Sequence, residues 1–287
     1  METAITSIFV GRSVTHHSVC LTFDFDGVSS WIHSFGSPDS PTKLSRGLFG
    51  VDVGAPRVLD LLDEFGVEAT WFTPGHTIDS FPEAAEEVWS RGHDVQHHGW
   101  SHTRPRQYES RAAEYDDVKR GVESIVDLTG RRPTGYRSPS WDFSTHTLGI
   151  LDELGFEWDS SQMATDFEPY RVREGWAAPA DAPFERGTET DIVEVPVSWQ
   201  RDDFPAFAFN RERGYANEKA VFRQWREQFD WMVDNVDGGV FVLTMHPQVI
   251  GQSHRLARLE SFVEHVADAP GVAFETVGEV ADRFGSA

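Results

Sequence analysis

Residues 20–27 read CLTFDFDG, an apolar stretch in which every second position from Cys20 to Asp26 is small or polar and the alternate positions are Leu21, Phe23 and Phe25. Side chains alternate across a strand, so Asp24 and Asp26 leave on the same side and can share one site. About seventy residues later, residues 97–102 read HHGWSH. His98 and His102 are four apart, which on a helical turn places both imidazoles on one face, able to grip a single cation. One acid with that pair makes three protein ligands, which leaves a coordination position open, and frees the second acid to act as a base.

Outward from these two segments, strands and helices alternate. Strands are expected over 18–25, 67–73, 93–97, 134–138, 156–160, 192–197, 239–246 and 272–274. Amphipathic helices are expected over 56–65, 83–91, 109–128, 145–154, 218–236, 255–267 and 277–284. Gly66, Gly92, Gly130 and Gly155 follow helix ends as C-terminal caps do, and Ser144 is placed to start a helix. Such alternation implies an α/β fold with a parallel sheet covered by helices. The reactive residues all close strands: Asp24 and Asp26 the first, His98 and His102 the third, Arg137 the fourth, His246 the seventh. A site assembled from several strand tops favours a barrel over an open sheet with one crevice. Two long stretches, 27–54 and 162–189, interrupt the pattern, and their tryptophans and prolines suit an ordered, irregular lid over the barrel mouth. The whole chain, 1–287, is read as one domain.

Composition narrows the function. The net charge is −22, with only three lysines (Lys43, Lys119, Lys219) against 22 arginines, so a phosphate backbone would be repelled and nucleic acid is not an expected partner. The acids are dispersed along the chain, as on a halophilic surface shielded by high salt. No apolar run reaches membrane-spanning length, and residues 1–20 lack a basic head and an apolar stretch, so a cytoplasmic protein without a membrane partner is expected. Cys20 is the single cysteine, which excludes an internal disulfide and a thiolate cluster. Neither GxGxxG nor GxxxxGK[ST] occurs, so a nucleotide is not indicated.

TFDFD, HHGWSH, GYRSPSWDFS and LTMHP, in this order, resemble the successive motifs of the polysaccharide deacetylase superfamily, with its NodB homology domain (carbohydrate esterase family 4). Residues 37–49, 69–83 and 191–205 are similar to its intracellular peptidoglycan-deacetylase-like branch, which shades into allantoinase-like relatives. The resemblance implies a distorted (β/α) barrel of seven or eight parallel strands. It implies Asp24 as catalytic base, His246 as general acid and Arg137 as the partner holding Asp24 ionised. Asp26, His98 and His102 would hold a divalent metal, with zinc the expected ion. Trp100, Trp141, Trp199 and Asp203 are expected to line the substrate, a small-molecule or oligosaccharide amide, and a homo-oligomer is expected. His97, off the face shared by the other two histidines, reads as packing, and His33 and His76 as loop and core. The implied activity is metal-dependent hydrolysis of a non-peptide amide, foremost deacetylation of an N-acetylated sugar. A cyclic imide or allantoin-type hydrolase is the alternative, and an inactive carbohydrate-binding barrel the alternative of another class.

Overall fold

The structure, a computed structural model, describes residues 16–209, 212 and 214–286. Nine strands lie in one sheet: β1 (His17–Asp24), β2 (Thr70–Thr73), β3 (Asp94–His97), β4 (Gly135–Tyr136), β5 (Trp158–Asp159), β6 (Tyr170–Glu174), β7 (Thr188–Glu194), β8 (Val240–Met245) and β9 (Val272–Phe274). Their order is β6-β7-β5-β4-β3-β2-β1-β8, with β9 also paired to β1. Every pairing is parallel except β6 with β7. The sheet curls into a half-barrel covered by helices, the expected fold class.

The alternation read in 20–27 sets the curvature's two faces. Val19, Leu21, Phe23 and Phe25 pack outward into the main core, against helices Ala55–Phe65 and Ser253–Ala267. Cys20 points inward, into a smaller core with Phe72, Trp158, Val242 and the C-terminal helix Val277–Gly285. Thr22, Asp24 and Asp26 follow Cys20 at the same two-residue spacing. Cys20 is fully buried and burial pushes its thiol far upward, so it stays a neutral core residue. Because neighbouring strands run parallel, their carboxyl ends share one rim, with Asp24 facing Phe72, and His97 facing both Thr73 and Tyr136.

Gly66 and Gly130 cap their helices with φ of 62° and 70°, in the left-handed conformation where glycine carries no steric penalty. Ser144 differs from its expected role. The helix begins at Thr147, and the Ser144 hydroxyl accepts the His146 amide and donates to Glu114, bracing the turn before it.

Both stretches expected to be irregular carry regular structure. Residues 27–54 hold two single π-helical turns, Ser30–Ser34 and Gly50–Gly54, around helix Pro41–Phe49. Glycines seat this segment on the site: a Cβ on Gly47 would lie 2.4 Å from the Gly27 carbonyl oxygen, and one on Gly54 would lie 2.1 Å from that of Pro247. Residues 162–189 contain β6 and the start of β7, an antiparallel hairpin at the sheet edge. β6 reads YRVRE and buries only Val172. Its registration comes from Arg173 paired with Glu189 and from Arg171 donating to the Asp191 carbonyl, signals that hydrophobic alternation does not report.

Candidate active site at the carboxyl ends of the strands

Asp24 is the last residue of β1 and only 3% exposed. Arg137, one residue past β4, donates from Nη1 to Asp24 Oδ1 at 2.9 Å and to Thr22 Oγ1 at 2.8 Å. Its other nitrogens bond the Ser160 carbonyl and hydroxyl, both at 2.9 Å, and its plane lies 3.9 Å from the Phe72 ring centre. A buried guanidinium with every edge occupied is a rigid counter-charge. Burial pushes the Asp24 carboxyl upward, yet the charge of Arg137, helped by His98 and His246, outweighs it and holds the group below the ordinary carboxylate value. The other oxygen, Oδ2, lies 3.8 Å from His98 Nε2 and 3.8 Å from His246 Nε2.

Asp26 turns in beside it. His102 Nε2 is 3.3 Å and His98 Nε2 3.8 Å from Asp26 Oδ1, and the donor atoms of these three residues all lie within 4.8 Å of one another. The convergence is as expected, but its route is not helical. Residues 98–102 form a loop whose Gly99 and His102 have φ of 71° and 59°. The loop's amides are taken outside any helix: that of Gly99 by His97 Nδ1, and those of Trp100 and Ser101 by the Asp117 carboxylate. Left-handed φ at a non-glycine residue costs free energy that persists only where surroundings enforce it.

Hydrogen bonds fix both imidazoles. His98 Nδ1 donates to the Arg137 carbonyl at 2.7 Å. Ser34 Oγ donates to the His102 carbonyl, so His102 Nδ1 donates to that hydroxyl, at 2.7 Å. Each Nε2 therefore presents its lone pair toward Asp26, the arrangement in which an outer partner orients a metal-binding histidine. Burial lowers both groups to about 4, which keeps them neutral and able to ligate. Asp26 Oδ1 is buried without a hydrogen-bond partner, while Oδ2 accepts from Gln248 at 3.3 Å. A buried carboxylate oxygen facing two imidazole lone pairs is costly alone and suits a divalent cation, so these three residues could hold one.

His246 follows β8. Its Nδ1 is 2.7 Å from Asp203 Oδ1 and 3.7 Å from Asp202 Oδ1, and its backbone N–H also meets the Asp203 carboxylate. Burial favours the neutral ring, but the bond to Asp203 and the charges of Asp203 and Asp202 outweigh it and raise His246 to about 10. Asp202 pairs with Thr244 across the open edge of β8, which brings Asp203 to the imidazole. Expected to line the substrate, Asp203 is instead fully buried and spent on His246.

The tryptophans divide. Trp141 and Trp199 meet at the rim with ring centres 4.4 Å apart, and Trp199 is exposed. Ser140 and Trp141 take consecutive left-handed conformations at φ 61° and 53°. Trp100 is held away by Asp79 and by Arg120, whose guanidinium lies 3.3 Å from its ring centre, and it packs on His33 and His76. His97 is structural, bonding the Val118 carbonyl at 2.9 Å. Sequence reading missed Ser34, Ser160 and Gln248. The first two are serines, one closing the π-helical turn Ser30–Ser34 and one just past β5, whose roles lie in contacts across 68 and 23 residues. Asp159 and Glu194, at the ends of β5 and β7, were missed too. They are buried together around Ser161, and burial raises both above the ordinary carboxylate range.

The chain belongs to the polysaccharide deacetylase family, hydrolases of non-peptide amide bonds, whose model matches residues 11–158. More particularly, it is 40% identical to the peptidoglycan deacetylase of Helicobacter pylori, over 91% of this chain and 94% of that one. It is 27% identical to the peptidoglycan deacetylase-like protein FGM2 of Gibberella zeae, over 93% and 86%. A Mycobacterium smegmatis crystal structure described as a polysaccharide deacetylase superposes with a TM-score of 0.81 at 31% identity, covering 99% and 94% of the two chains. Puue Allantoinase superposes at 0.78 with 18% identity, covering 96% and 92%, a likeness of fold.

Proposed function

We propose that the chain removes the acetyl group from an N-acetylated amino sugar, of the kind found in peptidoglycan. Asp24 is the base, His246 the acid, and a divalent cation, zinc foremost, is held by Asp26, His98 and His102. The observation that carries this is the position of Asp24. One oxygen is locked by Arg137, and the other stands 3.8 Å from Nε2 of His98, a member of the candidate cation site, and 3.8 Å from Nε2 of His246. The activity for which the Helicobacter pylori relative is named agrees with it.

When bound, the cation polarises the scissile carbonyl and offsets the negative charge that builds on its oxygen. The protein supplies the proton traffic. Asp24, kept ionised by Arg137, takes a proton from water as its oxygen attacks the carbonyl carbon. The Asp203 carboxylate accepts a hydrogen bond from Nδ1–H of His246, which holds the imidazolium with its Nε2 proton facing the reacting centre. That proton passes to the amine nitrogen as the carbon–nitrogen bond breaks, giving acetate and a free amine. The indole pair Trp141 and Trp199 offers the sugar a flat apolar wall at the rim.

Release of acetate from N-acetylglucosamine oligomers, assayed beside a succinimide-like imide and allantoin, tests the reading. Acetate is the expected product; a ring-opened acid from either cyclic amide, with no acetate, would replace it by the cyclic-amide alternative. The alkaline side carries a further expectation. His246 must be protonated, so activity falls as pH rises through its raised value. Asp203→Asn removes the main source of that elevation, and the alkaline limb of kcat/KM should move to lower pH. An unmoved limb would exclude His246 as the acid held by Asp203.

A further inference from the structure

An aromatic hollow of about 440 Å³ lies beside the site, walled by Trp31, Phe35, Phe204, Phe209 and Tyr215, with Arg46 in its lining. It shares its supports with the catalytic array. Phe35 follows Ser34, which bonds His102, and Phe204 follows Asp203, which bonds His246. The two phenyl rings stack with centres 6.3 Å apart, and Phe204 lies 5.1 Å from the His246 ring. A second hollow of about 420 Å³ shares Arg46, Phe209 and Tyr215 and reaches Gln248, which donates to Asp26. Arg46 thus lines both hollows, the first bordered by Phe204, which packs on the proposed acid, and the second by Gln248, which bonds a proposed cation ligand.

Arg46 is unusual in its partners. Its guanidinium lies 4.5 Å from the Trp31 ring centre, and no carboxylate among the described residues is within ion-pair distance of it. This occurs in a chain of net charge −22, where cations usually find acids. Lys43, three positions earlier on the same helix, is held to Ser37. A planar guanidinium stacked on an indole keeps its donor edge free, and that edge matches a carboxylate with two parallel hydrogen bonds. Asp24, Asp26, Asp202 and Asp203 crowd the neighbouring interior, so a ligand with a single negative charge is far better tolerated than a doubly charged phosphate monoester. The aromatic walls suit the apolar face of a sugar ring, and the volume is that of a small-molecule site.

We propose that this hollow is a specificity subsite in which Arg46 binds the carboxylate of an acid-bearing N-acetyl amino sugar, an inference that rests on the deacetylase reading for its choice of sugar. Arg46 acts on binding and takes no part in the proton transfers.

N-acetylmuramic acid and N-acetylglucosamine differ by one carboxylate-bearing ether, so they isolate the contribution of the charge. Calorimetric titration of the metal-loaded protein should find the acid bound about tenfold more tightly than the neutral sugar, the scale of one charge-assisted hydrogen-bonding pair. Arg46→Met should bring the acid down to the affinity of the neutral sugar, Arg46→Lys should retain part of the preference, and added KCl should narrow it. Equal binding of the two sugars by the wild type, binding of neither, or an undiminished preference in Arg46→Met would overturn the subsite. Acetate release is measured separately on both sugars. Its absence, with the Arg46-dependent preference intact, would sink the deacetylase reading and leave the subsite standing.

Discussion

Asp24→Asn is expected to lower kcat/KM for acetate release by about 10²–10⁴-fold, the usual contribution of a positioned general base. The substitution is nearly isosteric: an amide oxygen at the Oδ1 position still accepts from Arg137 Nη1, where the carboxylate now does at 2.9 Å. What is lost is the ability to take a proton from water. The proposed cation donors are Asp26, His98 and His102, so the variant should keep its metal content. A variant with wild-type turnover would remove Asp24 as the base, whereas one that lost both ion and activity would place Asp24 among the ligands.

Arg137→Met is expected to cost about 3–5 kcal/mol of folding stability, because it leaves a buried carboxylate without its counter-charge. The environment makes this severe. Arg137 is fully buried, and the Thr22 hydroxyl, the Ser160 carbonyl and the Ser160 hydroxyl lose a donor along with Asp24. The pH dependence follows from the same pair. A carboxyl held below its ordinary value stabilises the fold at pH above that value, 3.8, and the contribution disappears as pH falls through the depressed one. Without Arg137, burial dominates, Asp24 titrates at higher pH, and the acid limb of activity should move upward with it. Urea unfolding across pH, with activity profiles on the folded fraction, checks both parts. A variant of unchanged stability and unchanged acid limb would show that Asp24 owes its ionisation to other groups.

The parts of this molecule legible in its sequence are those set by local geometry. Two-residue alternation in 20–27 placed Asp24 and Asp26 on one side of β1, and the order of strand ends brought Arg137 and His246 to the same rim. The glycines after helices read correctly at Gly66 and Gly130 because a left-handed cap is a local demand. The rest depended on contacts between distant residues. The four-residue spacing of His98 and His102 suggested a helix, but Asp117 takes the amides that a helix would have used, and the two rings converge through a loop instead. Asp203 read as an acid lining the substrate. Its role arises from Asp202 pairing with Thr244, a bridge across 42 residues that no local pattern announces. β6 was hidden for a different reason: a strand with one buried apolar residue and three charged ones carries its register in ion pairs rather than in alternation.

The account turns on Asp26, His98 and His102 gathering one divalent ion, and its most direct test is the ion content of the purified protein by elemental analysis. After reconstitution with zinc and removal of excess, the wild type should hold close to one ion per chain, and His98→Ala and Asp26→Ala should hold far less. Absence of a bound ion in the wild type, or equal content in all three proteins, would contradict it.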